Sequence, residues 1–326
     1  MSKPLESLTA ARPRKLSLER STAFLRGEFV PFADANVSIA SSPVLYGLSV
    51  YTVFSANWNA KHQQLYCFRL KEHYARLVQS ARILGFASFE RQYSFEEFQE
   101  IMLELLKTNN VKEDALVRAT IFIDELAAGT RIEGLKTTLS VYVYPMGEIL
   151  SLAGIHAMIS SWRRVGDNMI PARAKVNGSY VNASLMKNEA LLNGYDDAIA
   201  LDVNDHVAEG TVANLFIVRD GVLITPLSSQ DILEGITRRS ILALAKELGV
   251  VTQERTVDRT ELYIADEVFM VGSSAKVTPV LSVDRRRVGN GRPGTITRKL
   301  AREYHAVQHA ETETRESWRT PVYSRS

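Results

Sequence analysis

Two short stretches of this chain, Lys175-Val-Asn-Gly-Ser-Tyr180 and Ala208-Glu-Gly-Thr211, carry most of its information about fold and chemistry. Together they supply a lysine, a tyrosine and a glutamate, and each of these stands close to glycine, alanine or serine. Small neighbours let a flat ligand approach the backbone closely. We therefore interpret Lys175, Tyr180 and Glu209 as parts of one binding site for a planar ring.

These three side chains match what pyridoxal 5′-phosphate requires of a protein. A lysine amine forms a Schiff base with the aldehyde of that cofactor and can later move a proton. A carboxylate keeps the pyridine nitrogen protonated, and a phenol can hydrogen-bond the ring 3-oxygen. The approach to Lys175, Ile170-Pro-Ala-Arg-Ala174, is largely apolar, and burial lowers the pKa of an amine. The residues alone indicate an enzyme, provisionally a transaminase.

Three further stretches are suited to a phosphate group. Gly235-Ile-Thr-Arg238 begins a predicted helix with Thr237 as its N-cap, and a helix N-terminus attracts anions. Gly272-Ser-Ser-Ala275 is a small-residue turn after a predicted strand and could present N–H groups and hydroxyls. Arg76, in a helix predicted over 69–85, could bind phosphate through two hydrogen bonds.

Composition excludes several other classes of protein. The 326 residues are 45% hydrophobic and 23% charged, as in a globular enzyme of two domains. A net charge of +2 gives no support to nucleic acid binding, and the six histidines show no metal-ligand spacing. No apolar run approaches the roughly 20 residues that cross a bilayer. The single cysteine, Cys67, suits a reducing compartment, so we expect a cytoplasmic protein.

The residue pattern divides the chain into two halves. We predict an N-terminal leader over 1–25, a small α/β domain over 26–146, a linker over 147–154 and a larger domain over 155–326. Ser94-Phe-Glu-Glu97 is a capping box, and Asp220-Gly221 predicts a type I′ hairpin. Gly289-Asn-Gly-Arg-Pro-Gly294 matches a dinucleotide-binding fingerprint, but the charged run before it is poor material for a buried strand. We interpret that stretch as a turn.

Taken in order, the motifs resemble those of the fold-type-IV pyridoxal phosphate enzymes, most closely the branched-chain amino acid aminotransferases. The resemblance runs from about residue 29 to about residue 304. It rests on Ser160-Ser-Trp-Arg163, Ala174-Lys175 with Tyr180, Ala200-Leu-Asp202 with Glu209-Gly210, Asn214-Leu-Phe216, Gly235-Ile-Thr-Arg238 and Ala265-Asp-Glu-Val-Phe269. It implies an α/β (α+β) fold with a small α/β domain and a larger domain with a β-barrel-like core. It also implies a homodimer or higher homo-oligomer, in which a partner loop helps close each pocket.

The resemblance further implies a role for each site residue. Lys175 would be the catalytic lysine that binds the cofactor and moves the proton. The cofactor-binding set would be Arg76, Lys175, Tyr180, Glu209, Ile236, Thr237 and Ser273. The substrate-binding set would be Tyr46, Tyr51, Val53, Leu116, Arg118, Ser274 and Ala275, with Ser274 and Ala275 offering N–H groups to the substrate carboxylate.

The chain departs from the branched-chain pattern in the substrate pocket. Tyr51-Thr-Val-Phe-Ser55 stands where Phe-Glu-Gly, an aliphatic residue and arginine are typical, and Leu116 replaces a usual tyrosine. The Tyr51-x-Val53 pattern is similar to that of (R)-selective amine transaminases of this fold. We therefore predict transfer from branched-chain L-amino acids to 2-oxoglutarate, with relaxed specificity that includes some (R)-primary amines.

Three alternatives remain open at this point. The first is an (R)-amine or D-amino acid transaminase that uses pyruvate. The second is an aminodeoxychorismate lyase, which the apolar Val53 and Leu116 disfavour because its substrate is highly polar. The third is a cofactor-binding protein without turnover, which the intact set of Lys175, Tyr180 and Glu209 disfavours.

Overall fold

A computed structural model describes residues 15–86, 89–127, 129–147 and 150–324. Residues 1–14 of the predicted leader and 148–149 of the predicted linker lie outside this description. The α-helices are α1 (Ser42–Tyr46), α2 (Leu70–Ile83), α3 (Phe89–Gln92), α4 (Phe95–Thr108), α5 (Tyr180–Leu192), α6 (Ile236–Glu247) and α7 (Thr295–Gln308). The strands are β1 (Thr22–Leu25), β2 (Glu28–Pro31), β3 (Ser49–Asn59), β4 (Gln64–Phe68), β5 (Ala115–Ile123), β6 (Thr137–Pro145), β7 (Ile155–Arg163), β8 (Asp197–Leu201), β9 (Val207–Gly210), β10 (Asn214–Arg219), β11 (Val222–Thr225), β12 (Thr252–Glu254), β13 (Glu267–Gly272), β14 (Lys276–Val283), β15 (Arg286–Arg287) and β16 (Arg319–Pro321).

The first half of the chain builds an antiparallel sheet in the order β16-β4-β3-β5-β6-β1-β2. Alternate residues of β5, among them Val117 and Ile121, pack against the apolar stripes of α2 and α4. The predicted capping box opens α4, because Ser94 accepts the Glu97 N–H and the Glu97 side chain accepts the Ser94 N–H. Arg118 points to the opposite face of the sheet, where it contacts Asn177 of the second half.

The second half closes into a barrel. Its strands run β10-β13-β14-β7-β8-β9, and the pairing of Glu209 with Asn214 returns β9 to β10. Strands β7 and β8 are parallel because the chain crosses between them through α5. Apolar residues fill the interior, among them Ile199, Leu215 and Met270, while α6 and α7 pack on the outside. This closed sheet confirms the predicted α/β (α+β) class with a β-barrel-like core.

Turns in the second half follow the local sequence, with one correction. Asp220 and Gly221 have φ values of 50° and 76°, as a type I′ hairpin requires. Helix α6 begins one residue before the predicted N-cap Thr237: Gly235 is the N-cap, in an extended conformation, and Ile236 is already helical. Thr237 therefore lies within the first turn, where its backbone N–H, like that of Ile236, has no partner inside the helix.

Strand β16 returns to the first sheet, where it pairs with β4. The last residues of the region predicted as the large domain thus complete the sheet of the small one. The segment around Lys175 also reaches from the second half of the chain to the first sheet, because Val176 forms an isolated bridge with Val50 of β3. The predicted boundary at 147–154 stays a prediction, and the two sheets are joined through these two segments.

Candidate active site

The backbone of Lys175 is fixed against the start of β3. Strand β4 pairs with β3 only from Ala56 onward. The same edge of β3 is therefore not covered by β4 at Ser49 to Tyr51, where another segment can pair. The Lys175 segment takes it: Tyr51 N donates to Lys175 O at 3.0 Å, and Asn177 N donates to Ser49 O at 2.9 Å. Lys175 N donates to Ser80 Oγ of α2 at 3.1 Å. The lysine is held by elements of the first half although it belongs to the second.

Gly47 makes this crossing possible through its close contact with Gly178. Gly47 ends α1 in the left-handed region, with φ of 67°, and a Cβ atom there would lie 2.7 Å from Gly178 Cα. No other residue fits this contact without moving the backbone. The glycine in Lys175-Val-Asn-Gly-Ser-Tyr180 thus serves the contact with α1.

A cavity of about 280 Å³ opens between the two sheets, close to the lower limit of typical small-molecule sites, roughly 300–1,000 Å³. Its wall contains most of the predicted residues: Tyr51, Val53, Arg76, Arg118, Lys175, Tyr180, Glu209, Ile236, Thr237, Ser273 and Ser274. It does not contain Tyr46, Leu116 or Ala275. Tyr46 is 43% exposed on α1, Leu116 is buried within the first sheet, and Ala275 packs into the barrel interior.

Lys175 and Tyr180 form the centre of the cavity. Lys175 Nζ donates to the Tyr180 hydroxyl at 2.8 Å and lies 4.9 Å from the centroid of the Tyr51 ring. Burial lowers the pKa of the Lys175 amine, and the nearby Arg76 acts in the same direction, while Tyr180 partly opposes them. Burial would raise the pKa of Tyr180, but the neighbouring Lys175 charge lowers it overall. The amine is therefore easier to deprotonate than a solvated lysine, as a proton acceptor must be.

Glu209 stands at one end of the cavity in a closed network. Its Oε1 atom lies 2.8 Å from Arg164 Nη2, and its Oε2 atom accepts from Asn214 Nδ2 at 2.8 Å and from Leu233 N at 3.3 Å. Burial raises the pKa of this carboxyl group, and Arg164 opposes that effect. A Cβ atom on Gly235 would fall 1.9 Å from Asn214 Oδ1, so only glycine leaves room for this arrangement.

The other end of the cavity is suited to an anion. Arg76 is 6% exposed, and its Nε atom has no hydrogen-bond partner within the described part of the chain. Ile236 and Thr237 lie beside it at the N-terminus of α6, whose free N–H groups and positive dipole end favour a negative charge. One buried guanidinium and one helix N-terminus together provide the donors that a phosphate group requires.

A buried hydrogen-bond chain holds Arg76 in place. Arg76 Nη2 donates to Thr52 Oγ1 at 3.3 Å, and Thr52 Oγ1 lies 2.7 Å from His73 Nδ1. Since arginine can only donate, the Thr52 hydroxyl accepts from Arg76, and the tautomer of His73 sets the direction of the second hydrogen bond. Burial and the adjacent Arg76 hold the pKa of His73 well below its usual value, so the ring is neutral.

The lining of the cavity also combines one cation with apolar side chains. The Arg118 guanidinium carbon lies 3.7 Å from the centroid of the Tyr51 ring, and Arg118 donates to Asn177 Oδ1. Val53 pairs with Arg118 across β3 and β5, while Val212 and Leu233 line the same cavity. A lining of this composition can bind both a carboxylate and an aliphatic group.

The sequence assigned no role to Arg164, Asn214 or Tyr144, all of which line the cavity. Arg163 and Arg164 are consecutive, and neighbouring residues at a strand end point in opposite directions. Arg163 accordingly pairs with Asp205 at the surface while Arg164 pairs with Glu209 inside. Alternation along β7 is the signal that could have identified one inward arginine.

No membrane-crossing helix occurs in the described ranges, since none there is both long and apolar enough. The same part of the chain brings together no group of three or more histidine, cysteine, aspartate or glutamate side chains that could hold a metal ion.

Comparison with known proteins gives one consistent family. The sequence model of amino-transferase class IV matches residues 49–283. The "Probable branched-chain-amino-acid aminotransferase" of Aquifex aeolicus (strain VF5) is 41% identical over 311 residues, which cover 95% of this chain and 99% of that protein. The solved branched-chain aminotransferase of Thermoproteus uzoniensis with norvaline has a TM-score of 0.88 and 37% identity, covering 93% of this chain and 99% of that one. The branched-chain amino acid aminotransferase of Thermobaculum terrenum in its PLP-form (holo-form) has a TM-score of 0.88 and 32% identity, covering 94% of this chain and 100% of that one.

Proposed function

We propose that this chain, which belongs to the amino-transferase class IV family, transfers the amino group of branched-chain L-amino acids to 2-oxoglutarate. The observation that carries the proposal is the composition of the cavity that contains Lys175: the Arg118 guanidinium and the apolar side chains of Val53, Val212 and Leu233 all line it. An aliphatic amino acid offers one carboxylate and one apolar side chain, and this lining complements both. The similar proteins are named as branched-chain aminotransferases, which supports the same choice.

Class IV aminotransferases depend on pyridoxal 5′-phosphate, and the residues of this cavity fit that cofactor. Arg76 and the N-terminus of α6 would hold its phosphate, with Ser273 at the same cavity, and Glu209 would hold its ring nitrogen. The Nε atom of Arg76 supports this placement, because it is buried without a hydrogen-bond partner and a phosphate oxygen would supply one. When bound, the cofactor supplies an electron-accepting ring and a carbonyl carbon that receives the amine.

The protein's own part in the reaction is to hold groups and move one proton. Lys175 Nζ would take the proton from the substrate carbon and return it, and its lowered pKa suits both steps. Tyr180 keeps the amine on one face of the cavity through its 2.8 Å hydrogen bond. Arg164 and Asn214 fix the Glu209 carboxylate, which would hold the ring nitrogen of the cofactor in one position.

Arg118 would bind the carboxylate of the substrate. Its guanidinium is stacked on Tyr51 and held by Asn177, so little freedom is lost when a carboxylate pairs with it. Ser274 reaches the cavity from the turn after β13 and would supply a second polar contact.

Tyr51 and Val53 support a proposal of relaxed specificity that includes some (R)-primary amines. Both line the cavity near Lys175, and a valine at position 53 fills space that glycine would leave open. Filling that space changes which substituent of the substrate carbon can face the wall. The same observation favours a second candidate, an (R)-amine or D-amino acid transaminase that uses pyruvate.

We also propose a cytoplasmic homodimer or higher homo-oligomer. Val44, Leu45 and Tyr46 are consecutive, exposed residues of α1, with exposures of 53%, 54% and 43%. Exposed apolar side chains beside the crossing of Gly47 and Gly178 suit a second copy of the chain. Light scattering should give at least twice the 36.4 kDa chain mass, and Leu45→Asp should lower it. The one cysteine of the sequence, Cys67, is buried as a free thiol, which suits a reducing compartment.

The cofactor's visible spectrum tests the substrate proposal in single half-reactions. Holoenzyme is mixed separately with L-leucine, D-alanine and (R)-1-phenylethylamine, and the aminated form is then mixed with 2-oxoglutarate or pyruvate. We expect rapid bleaching by L-leucine, slower bleaching by the amine, and recovery with 2-oxoglutarate. Bleaching by only the amine or D-alanine, with recovery by pyruvate, would replace the first candidate with the second. Val53→Gly should slow the (R)-amine reaction relative to that with L-leucine.

A further inference from the structure

A second cavity, of about 360 Å³, lies between α2, α6 and the segment that precedes Lys175. Its wall contains Arg76, Gln79, Arg82, Ile83, Arg173, Glu234 and Arg239. Four guanidinium groups thus surround a space with one carboxylate. We propose that this cavity is a second anion site, which binds a phosphate dianion, either inorganic phosphate or a phosphate monoester, separately from the cofactor.

Two of the four arginines of this wall, Arg76 and Arg239, form no ion pair with a described residue. Arg82 pairs with Glu90, and Arg173 lies 3.3 Å from Glu234, which uses the one carboxylate of the wall. The Arg239 side chain has no hydrogen bond or ion pair to any residue that the structure describes. Its side chain is exposed at the edge of the cavity, so an anion that enters from solvent can reach it. An anion in the cavity would supply the missing partner.

Arg76 adds to this excess of positive charge. Burial and repulsion from Arg239 lower its pKa to about 10. Burial and the nearby Arg69 lower the pKa of Arg239 as well, and the carboxylates of Glu234 and Glu72 oppose this effect only in part. Cations that destabilise one another around an open cavity form a ready site for a dianion, which relieves the repulsion on binding.

Arg76 also connects this site to the cofactor, because it lines both cavities. A dianion in the second cavity would therefore lie across one guanidinium from the cofactor's phosphate and would repel it. Occupation should speed cofactor release, and by linkage the cofactor should weaken the second anion. This coupling rests on the proposed role of Arg76, whereas the site itself does not.

The release rate of the cofactor tests the coupling. Holoenzyme is diluted far below its dissociation constant, so that rebinding is negligible, and release is followed by cofactor fluorescence at increasing inorganic phosphate. Potassium chloride keeps the ionic strength constant. We expect a saturable increase of about threefold, the size expected for two screened dianions on either side of a guanidinium. Competition in the cofactor's own phosphate site affects only rebinding, so it cannot change this rate.

Arg239→Gln should remove the phosphate dependence and leave kcat unchanged, since Arg239 is absent from the wall of the first cavity. Arg298→Gln is the matched control, because it removes an exposed arginine on α7 and should keep the full response. A release rate that ignores phosphate in the wild type, or responds equally in Arg239→Gln, would overturn the coupling.

Calorimetric titration of the holoenzyme with inorganic phosphate and with glycerol 2-phosphate tests the site directly. Binding should be saturable in the wild type and in Arg298→Gln, and at least about tenfold weaker in Arg239→Gln, the loss of one charged hydrogen bond. Tighter binding of phosphate would identify the free ion as ligand, and tighter binding of the ester a phosphorylated metabolite. Equal binding in Arg239→Gln, or none in the wild type, would overturn the site. Binding without an effect on release would keep the site and contradict the proposed role of Arg76.

Discussion

The Lys175 amine and the Tyr180 hydroxyl lie 2.8 Å apart, and the phenol raises the pKa of an amine that burial lowers. Tyr180 is the first residue of α5, so the start of that helix sets the distance. The pKa of the lysine therefore depends on the Tyr180 hydroxyl, which a Tyr180→Phe substitution removes.

Tyr180→Phe should lower the pKa of the Lys175 amine further, because it removes the group that opposes burial. The labelling rate of the apoprotein by an amine-directed reagent should then reach its midpoint at a lower pH than in the wild type. Tyr195→Phe, which changes a tyrosine paired with Arg285, serves as control. An unchanged or higher midpoint would contradict the assignment.

Arg164→Gln should destabilise the apoprotein by about 3 kcal/mol, the usual cost of removing one partner of a buried ion pair. Both side chains are buried, with exposures of 12% and 6%. Loss of Arg164 raises the folded-state pKa of Glu209 further above its unfolded value, so stability falls as pH rises and the loss is larger at pH 8 than at pH 5. Thermal unfolding of wild type and variant at pH 5 and pH 8 measures this loss of stability.

The double variant Arg164→Gln/Glu209→Gln should recover most of the lost stability, because no unpaired charge remains. If the double variant is as unstable as the single one, the loss does not come from the unpaired carboxylate of Glu209.

Thr52→Val should weaken the binding of pyridoxal 5′-phosphate about tenfold, because Arg76 loses the hydrogen bond that orients it. Thr52→Ser keeps the hydroxyl between Arg76 and His73 and should retain wild-type affinity. Equilibrium titration of the apoprotein by cofactor fluorescence compares the three proteins. A serine variant as weak as the valine variant would show that shape, and not the hydroxyl, matters at this position.

His309→Gln should lower stability mainly in mild acid. His309 Nε2 lies 2.9 Å from Asp114 Oδ2; burial opposes the charge, but this contact raises the pKa of His309 overall, and His309 helps lower that of Asp114. The histidine's contribution is present below its unfolded pKa of about 6.5 and is lost as pH rises through its folded value. The aspartate's contribution is lost as pH falls below about 4.

The melting temperature of His309→Gln should therefore lie roughly 2 °C below that of the wild type near pH 5.5, and the difference should shrink by pH 8.5. His62→Gln changes an exposed histidine and should show no such profile. A deficit that is constant with pH would point to lost packing and not to the charge pair.

Local patterns predicted much of the fold and the centre of the site. The capping box at Ser94 and the Asp220-Gly221 turn depend on residues close in sequence, and both formed as predicted. The predicted N-cap of α6, Thr237, is wrong by two residues. The N-cap is Gly235, which has no side-chain oxygen to mark it and is needed there because a Cβ atom would clash with Asn214.

Contacts between distant segments could not be read in the same way. Leu116 shares a face of β5 with Arg118, but two residues along a strand span roughly 7 Å, and it lies beyond the cavity wall. The hydrogen bonds that link His73, Thr52 and Arg76 join β3 to α2, and no local sequence pattern predicts them. Lysine, tyrosine and glutamate were identifiable because their chemistry is specific, whereas the residues that hold them are ordinary in composition.

The position of β16 has a consequence for the order of synthesis. Residues 319–321 pair with β4, and Gln64 accepts hydrogen bonds from the backbone N–H groups of Val322 and Tyr323. While a ribosome makes the chain, β4 has an open edge until these residues exist, and by then every barrel strand has been made. An open edge is a pairing site for other chains. The first sheet therefore keeps an exposed, unpaired edge at β4 during synthesis until β16 has been translated.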